Sequence, residues 1–299
     1  MIEVYDLIII GAGAAGMSAA IYAARYKINV AIISTDVGGL SNEAHLVENW
    51  PGVISKSGLE LMGDFKKHVE QYDVPIIEEE VTSIKKDVTF TVQTKKNEYQ
   101  SKTIIFALGT KRRKLNVPGE EDFAGKGVSY CFTCDGPLFK DKTVAMVGGG
   151  DAAGTGALML AEYAKKVYLI VRSDLKAEPV TIDNIKKNPK IEIILNSTIN
   201  EILGEALVNK IKLNDGKELD VDGVFIEVGH IPSTTLAKEV GVELSNHNEI
   251  KVNDEMKTNV EGLFSAGDIT DKSAVLRQIV TAAAQGAIAS LSVFKYLKQ

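Results

Sequence analysis

Short apolar runs, most of them closed by glycine, recur along the chain. Residues 5–10, 30–33, 103–107 and 142–147 are mainly branched and apolar, without polar alternation. That is the pattern of strands covered on both faces in a parallel sheet. Residues 17–27 are rich in alanine and predict a helix, residues 59–72 have helical periodicity, and residues 275–297 predict a closing Ala-rich helix. Residues 78–94 and 98–105 alternate instead, which predicts strands of a small sheet beside the first unit. Further short strands are expected at 167–171, 191–195, 199–205, 210–219, 222–229 and 262–268, with a helix ending near residue 164 before the first of them. No apolar run reaches the length of a membrane span.

The glycines give this pattern a chemical meaning. The run 5–10 opens into Gly11-Ala12-Gly13-Ala14-Ala15-Gly16 and then the helix. Strand, glycine turn, helix and strand make a Rossmann unit, in which Gly11 allows the turn, Gly13 lets backbone approach a pyrophosphate, and Gly16 lets the helix pack on the sheet. The helix start offers N–H groups to phosphate, and Asp36 lies about 20 residues beyond Gly16, where an acid holds a ribose hydroxyl. Run 142–147 opens into Gly148-Gly149-Gly150-Asp151-Ala152-Ala153, a second fingerprint about 137 residues after the first. Two fingerprints imply two nucleotide-binding units. Gly267-Asp268, between a strand and the last helix, is a further candidate for a cofactor's polar chain.

The only two cysteines form Cys131-Phe132-Thr133-Cys134, followed by Asp135 and Gly136. A lone Cys-x-x-Cys in a long chain is redox-active or metal-binding. Structural zinc wants four ligands, and His45, His68, His230 and His247 show no paired ligand spacing. A dithiol between two nucleotide units points to electron transfer through a flavin. Asp135 is placed to handle protons or to cap a helix beginning there. The composition, 45% hydrophobic and 25% charged over 299 residues, with a net charge of -6, is that of a globular chain without the basic surface nucleic acids need. With no signal-type N-terminus, the expected location is cytoplasmic. Residues 111–114, Lys-Arg-Arg-Lys, mark a crossing between domains, as a solvated charge run or as a contact for an acidic partner.

Taken together, the chain resembles the low-molecular-weight thioredoxin reductases over nearly its full length. The resemblance rests on Gly11-x-Gly13-x-x-Gly16, Gly38-Gly39, Val47-Glu48-Asn49-Trp50-Pro51-Gly52, Ala107-x-Gly109-Thr110, Cys131-x-Thr133-Cys134-Asp135-Gly136, Gly148-Gly149-Gly150, Val228-Gly229-His230-x-Pro232, Ala266-Gly267-Asp268 and Arg277-Gln278. Phe132 stands where the family commonly has Ala. The resemblance implies an α/β fold of two Rossmann-like (three-layer ββα) domains. A discontinuous FAD domain would span residues 1–113 and 242–299, and a central NAD(P)-binding-like domain with the dithiol would span 114–241. FAD would be held by Gly11, Gly13, Ala14, Ala15, Gly16, Thr35, Asp36, Gly38, Gly39, Leu40, Asn49, Val81, Gly109, Gly267, Asp268, Arg277, Gln278 and Ile279. A nicotinamide nucleotide, NADPH or NADH, would meet Gly148, Gly150, Asp151, Ala152, Ala153, Arg172 and Lys176. Cys134 would face the flavin, Cys131 would attack a thioredoxin or glutaredoxin-like partner, and Asp135 would serve as acid and base. Members are typically homodimers, and His230 reads as part of a structural turn.

The chain departs from this pattern after the second fingerprint. A basic His-Arg-Arg stretch is usual there, and here Arg172-Ser173-Asp174-Leu175-Lys176 follows Val171. Lysine does not replace a bidentate arginine, so NADPH, NADH, ferredoxin and reduced deazaflavin all stand as donors. Gly154-Thr155-Gly156 replaces an acidic pair common in the family. A flavin-dependent dithiol oxidase passing electrons to oxygen is the alternative activity.

Overall fold

The computed structural model describes residues 4–44, 47, 49–274 and 276–299. Glu48 and Val275, the expected start of the last helix, lie outside the described residues, as do the side chains of Thr133, Cys134 and His230. The chain divides into two compact units, passing from the first to the second at 111/112 and back at 230/231.

The first unit begins with strand β1 (Val4–Ala12), helix α1 (Ala14–Arg25) and strand β2 (Val30–Val37). Helix α2 (Gly58–Glu70) follows, started by a capping box between Ser57 and Glu60. Strands β3 (Ile76–Glu78), β4 (Val81–Lys86), β5 (Phe90–Thr94) and β6 (Glu98–Phe106) complete the sheet, in the order β3-β2-β1-β6-β5-β4. Leu7, Ile8 and Ile9 are fully buried, as an unbroken apolar run requires of a central parallel strand.

The expected separate small sheet is instead continuous with the main one. A single long strand, β6, replaces the two predicted at 98–105 and 103–107. One edge of β6 runs parallel to β1 from Gln100 to Phe106. Its other edge pairs antiparallel with β5 at residues 98–101, then parallel with a late strand at residues 104–106. The alternating and the unbroken patterns are two halves of one strand, covered on one face and then on both.

Strand β7 (Thr110–Arg112) is the outward crossing. The second unit contains β8 (Val128–Ser129), α3 (Phe132–Asp135), β9 (Thr143–Val147), α4 (Asp151–Tyr163), β10 (Lys166–Ile170), α5 (Pro179–Lys187) and β11 (Ile191–Ile194). An antiparallel sheet of β12 (Ile199–Gly204), β13 (Val208–Leu213) and β14 (Glu218–Asp220) precedes β15 (Gly223–Ile226). The parallel sheet runs β11-β10-β9-β15-β8. Val144 and Met146 join the cluster with α4 on one face, and Ala145 and Val147 join the cluster with β12 and β13 on the other.

Strand β16 (His230–Pro232) pairs with β7, and α6 (Thr235–Glu239), β17 (Leu263–Ser265) and α7 (Ile279–Tyr296) return to the first unit. Residues 231–241 therefore pack with the first unit rather than the central domain expected to run to 241. Ala237 of α6 is buried in the first core. Helix α7 is, by length and composition, apolar enough to cross a bilayer, with a mean hydropathy of 1.2, contrary to the expectation for this chain. It lies along α1, where Ser18 Oγ donates to Ala283 O at 2.7 Å and Ser290 Oγ donates to Ala19 O at 2.6 Å.

Candidate functional site

The lead-in to the dithiol is anchored at two points. Strand β8 pairs parallel with β15, and the next residue, Tyr130, donates its hydroxyl to Glu120 Oε1 at 2.7 Å. Glu120 is 1% exposed and also accepts the Leu115 N–H at 2.9 Å and the Asn116 N–H at 2.6 Å. Burial, then the neighbouring Glu120, pushes the Tyr130 hydroxyl well above the usual tyrosine range. It therefore acts as a fixed donor.

Cys131 is half-buried and held in a disulfide. Asp135 closes α3 rather than opening it, and makes no side-chain cap on the turn that follows. Its carboxylate is instead held by Ser129, whose Oγ donates to Asp135 Oδ2 at 2.6 Å. Of the two roles left open for Asp135, the geometry removes capping.

The unusual glycines of α4 have packing partners. A Cβ on Gly156 would lie 2.9 Å from the Phe132 ring and 2.5 Å from Met146 Cε. The large Phe132, where the family commonly has Ala, is thus accommodated by a glycine where the family has an acid. A Cβ on Gly154 would meet Thr181 Cγ2 at 2.9 Å and Ala177 Cβ at 3.1 Å, so α5 and its lead-in rest on α4.

The first fingerprint forms an open cradle. At Gly11, φ is +109°, and a Cβ would lie 2.4 Å from Ala107 O. One on Gly16 would lie 1.9 Å from Gly11 O. Gly13, by contrast, has nothing within 4 Å of a Cβ. It is also the N-cap of α1, whose first turn has no side-chain cap and no acid. First-turn N–H groups without a side-chain cap, beside open space at Gly13, suit a pyrophosphate.

The other predicted groups gather around this cradle. Gly38 N donates to Ala12 O at 2.8 Å, and a Cβ on Gly39 would lie 3.7 Å from Gly13 Cα. Thr35 and Asp36 are exposed at the end of β2, and Leu40 lies in the turn Gly39–Glu43. A Cβ on Gly267 would lie 2.9 Å from Ala15 Cβ, which sets Gly267-Asp268 against the start of α1. Gln285 fixes that loop by accepting from Gly267 N at 2.8 Å, Thr270 Oγ1 at 3.1 Å and Ser273 Oγ at 3.2 Å. Asn49 donates to Gln278 Oε1 at 3.0 Å, and Gln278 caps α7 ahead of Ile279. Gly109 follows Ala107 with φ +60°. Val81 opens β4 at the far edge of the sheet, three strands from β1. Arg277 is ion-paired with Glu249, whose side chain is 5% exposed, so its charge is committed within the protein.

Asp268 shows that these residues fit FAD. Among the described residues its buried Oδ1 has no hydrogen-bond partner, a cost unless a donor arrives. The polyhydroxyl chain of a bound FAD would supply one. Burial raises the Asp268 pKa, and Arg277 opposes the rise. A raised carboxyl keeps its proton where the unfolded chain has lost it. The flavin-free protein is therefore expected to lose stability as pH climbs from the ordinary carboxylate range through the raised value. Asp268→Asn should raise the flavin-free Tm at neutral pH and flatten this dependence. It should also weaken FAD binding by about tenfold or more, the loss of a charge-assisted hydrogen bond. Calorimetry of the stripped protein and flavin titration check the two effects.

The second fingerprint repeats the plan. A Cβ on Gly148 would lie 2.2 Å from Glu227 O, and Gly150 has nothing within 4 Å. Gly150 caps α4 without a side-chain bond. The Asp151 carboxylate accepts the Glu178 N–H at 2.7 Å, and Lys176 N donates to Gly149 O at 2.6 Å. Ala152 is exposed and Ala153 buried, so Ala153 takes the packing role of the third glycine. Ile10 is in register with Ile33 in the first unit, and Val147 with Ile170 in the second. Counting on from those pairs, Ser173 occupies the place of Asp36, with exposed Arg172 and Asp174 on either side. Ser129, Glu120, Glu249 and Gln285 were not singled out by sequence. Each is an isolated polar residue in an apolar or loop context, with no motif to mark it.

Residues 5–286 match the family described as Pyridine nucleotide-disulphide oxidoreductase. The chain is 40% identical over 302 residues to the thioredoxin reductase of Treponema pallidum (strain Nichols), covering 98% of this chain and 97% of that one. Among solved structures, T. acidophilum thioredoxin reductase is 40% identical with a TM-score of 0.84, covering 99% of each chain. Lactococcus lactis thioredoxin reductase is 33% identical with a TM-score of 0.86, covering 98% of this chain and 99% of that one.

Proposed function

Because the chain belongs to the pyridine nucleotide-disulphide oxidoreductase family, and within it to the thioredoxin reductases, we propose that it reduces the disulfide of thioredoxin with electrons from a nicotinamide nucleotide. The observation that carries this reading is the anchored turn containing disulfide-bonded Cys131 and the carboxylate of Asp135. FAD, when bound, supplies two-electron transfer between a nicotinamide and a disulfide. The first fingerprint, Asn49, Asp268 and Gln278 would hold and orient it.

The steps of the chain's own residues follow from thiol chemistry. The Cys131–Cys134 disulfide gains two electrons and two protons to become a dithiol. Asp135 accepts the proton that Cys131 loses, and the Cys131 thiolate attacks the thioredoxin disulfide. One sulfur–sulfur bond forms, one breaks, and a thioredoxin thiol leaves with a proton. Cys134 then attacks the mixed disulfide, restoring the Cys131–Cys134 bond and releasing reduced thioredoxin. The exposed Val280, Ile288 and Leu291 along α7 are the face for a second copy, in line with the expected homodimer.

Gly150 and the start of α4 would hold the donor, with exposed Arg172 beside Ser173 as the available cation. One arginine followed by Ser173 and Asp174 gives a relaxed choice between NADPH and NADH. Ser173→Arg should shift the NADPH/NADH ratio of kcat/KM toward NADPH by about tenfold, one added charge-assisted phosphate contact. Anaerobic flavin bleaching by each nucleotide, followed by reoxidation with thioredoxin disulfide, tests the whole reading. Bleaching and reoxidation are expected. Bleaching by dithiol alone would transfer the donor role to ferredoxin or reduced deazaflavin. Peroxide formed from dithiol without any donor would replace the proposal with dithiol oxidation.

A further inference from the structure

Ser129 is 6% exposed and closes β8, two residues before Cys131. Its oxygen accepts the Cys131 N–H at 3.0 Å. Its single hydroxyl hydrogen has two acceptors in reach, Asp135 Oδ2 at 2.6 Å and the Cys131 carbonyl oxygen at 3.3 Å. A separation of 2.6 Å is shorter than the 3.3 Å to the carbonyl, so the hydroxyl hydrogen points at the carboxylate. Asp135 N–H donates in turn to Cys131 O at 3.1 Å. Cys131 backbone, Ser129 hydroxyl and Asp135 carboxylate thus form a closed ring around the redox turn.

We infer that Ser129 is a positioning residue for dithiol exchange, holding the Asp135 carboxylate against the Cys131 turn and re-aiming its hydroxyl when Asp135 takes a proton. With Asp135 ionised, Ser129 donates to it. With Asp135 protonated on Oδ2, the carboxyl donates to Ser129 Oγ and the hydroxyl turns to the Cys131 carbonyl. Both protonation states keep a hydrogen bond within one geometry, and the proton moves without rebuilding the turn. The inference rests on the reading of Asp135 as the proton-handling group.

Ser129→Val and Ser129→Thr share a shape and differ in the hydroxyl, so comparing them separates the hydroxyl's role from folding. With FAD-loaded protein and thioredoxin, kcat of Ser129→Val is expected to fall about tenfold below that of Ser129→Thr, with KM for thioredoxin unchanged. Anaerobic flavin bleaching by the nicotinamide donor should be the same in both. Asp135→Asn should be slow as well, and adding Ser129→Val to it should slow it no further, since the two groups act as one unit. A slow Asp135→Asn beside equal rates for the Val and Thr variants would overturn the role of Ser129 alone. Losses that multiply in the double variant would also overturn it. Asp135→Asn at full rate would overturn the reading of Asp135 and this inference together.

Discussion

Cys131→Ser should keep its flavin and its bleaching by nicotinamide nucleotide, yet lose thioredoxin reduction by at least about a thousandfold, as when a nucleophile acting within a unit is removed. The first fingerprint, proposed to hold FAD, lies in a different compact unit from Cys131, so the substitution should leave the flavin's protein contacts in place. A serine hydroxyl cannot join a disulfide, and its ionisation at neutral pH is negligible beside that of a thiol. The two cysteines have different tasks, which a trapping experiment separates. A thioredoxin with a single cysteine, activated by 5-thio-2-nitrobenzoate, should form a stable adduct with Cys134→Ser and none with Cys131→Ser. Cys131 is only half-buried, as expected of the thiol that meets a protein partner. Adduct formation by Cys131→Ser instead would exchange the two roles and leave the reductase reading standing.

What the sequence disclosed, and what it hid, depended on how local each constraint is. The two fingerprints were legible because turn, helix start and flanking strand lie within a few consecutive residues. Gly11, Gly13 and Gly16 meet or avoid neighbours in the manner their spacing implied. Strand β6 was misread as two because its covering changes along its length, a property of the partners on its edge. The return crossing was placed at 242 rather than 231 because α6 is short and its burial against the first core is a long-range contact. Helix α5 went unnoticed although Pro179 at its first turn was a readable start signal. Arg277 is paired with Glu249, 28 residues away. Ser129 reaches Asp135, six residues on, across the turn closed by the Asp135 N–H to Cys131 O bond. Neither pairing has a spacing rule. Phe132 and Gly156 stand in the sequence as two separate departures from the family's pattern. In space each is the reason for the other.

Gly286→Val should be the most damaging single change outside the dithiol, destabilising the protein by about 3 kcal/mol or more and releasing FAD. A Cβ on Gly286 would lie 2.1 Å from Ala15 O and 3.1 Å from Ala19 N. Those neighbours are backbone, so no rotamer change relieves the overlap. Helices α1 and α7 approach this closely because small residues line their seam, with Ser18 and Ser290 bonding across it to carbonyls of the opposite helix. Valine must push α7 away, and three consequences follow together. Both cross-helix hydroxyl bonds lengthen. The α1 start moves relative to Gly267, whose own contact there is with Ala15. Gln285, next to Gly286, loses its grip on the loop carrying Asp268. Since α1 presents the N–H groups proposed to receive the pyrophosphate, loss of flavin should accompany loss of stability. Urea unfolding and flavin fluorescence, followed on the same sample, check both. A variant that unfolds at lower urea but keeps its flavin until the protein unfolds would show that the seam supports the fold without setting the cradle. Gly13→Ala is the control, since its Cβ enters open space. It should cost little stability while weakening FAD binding, and the contrast separates holding the helix from receiving the phosphate.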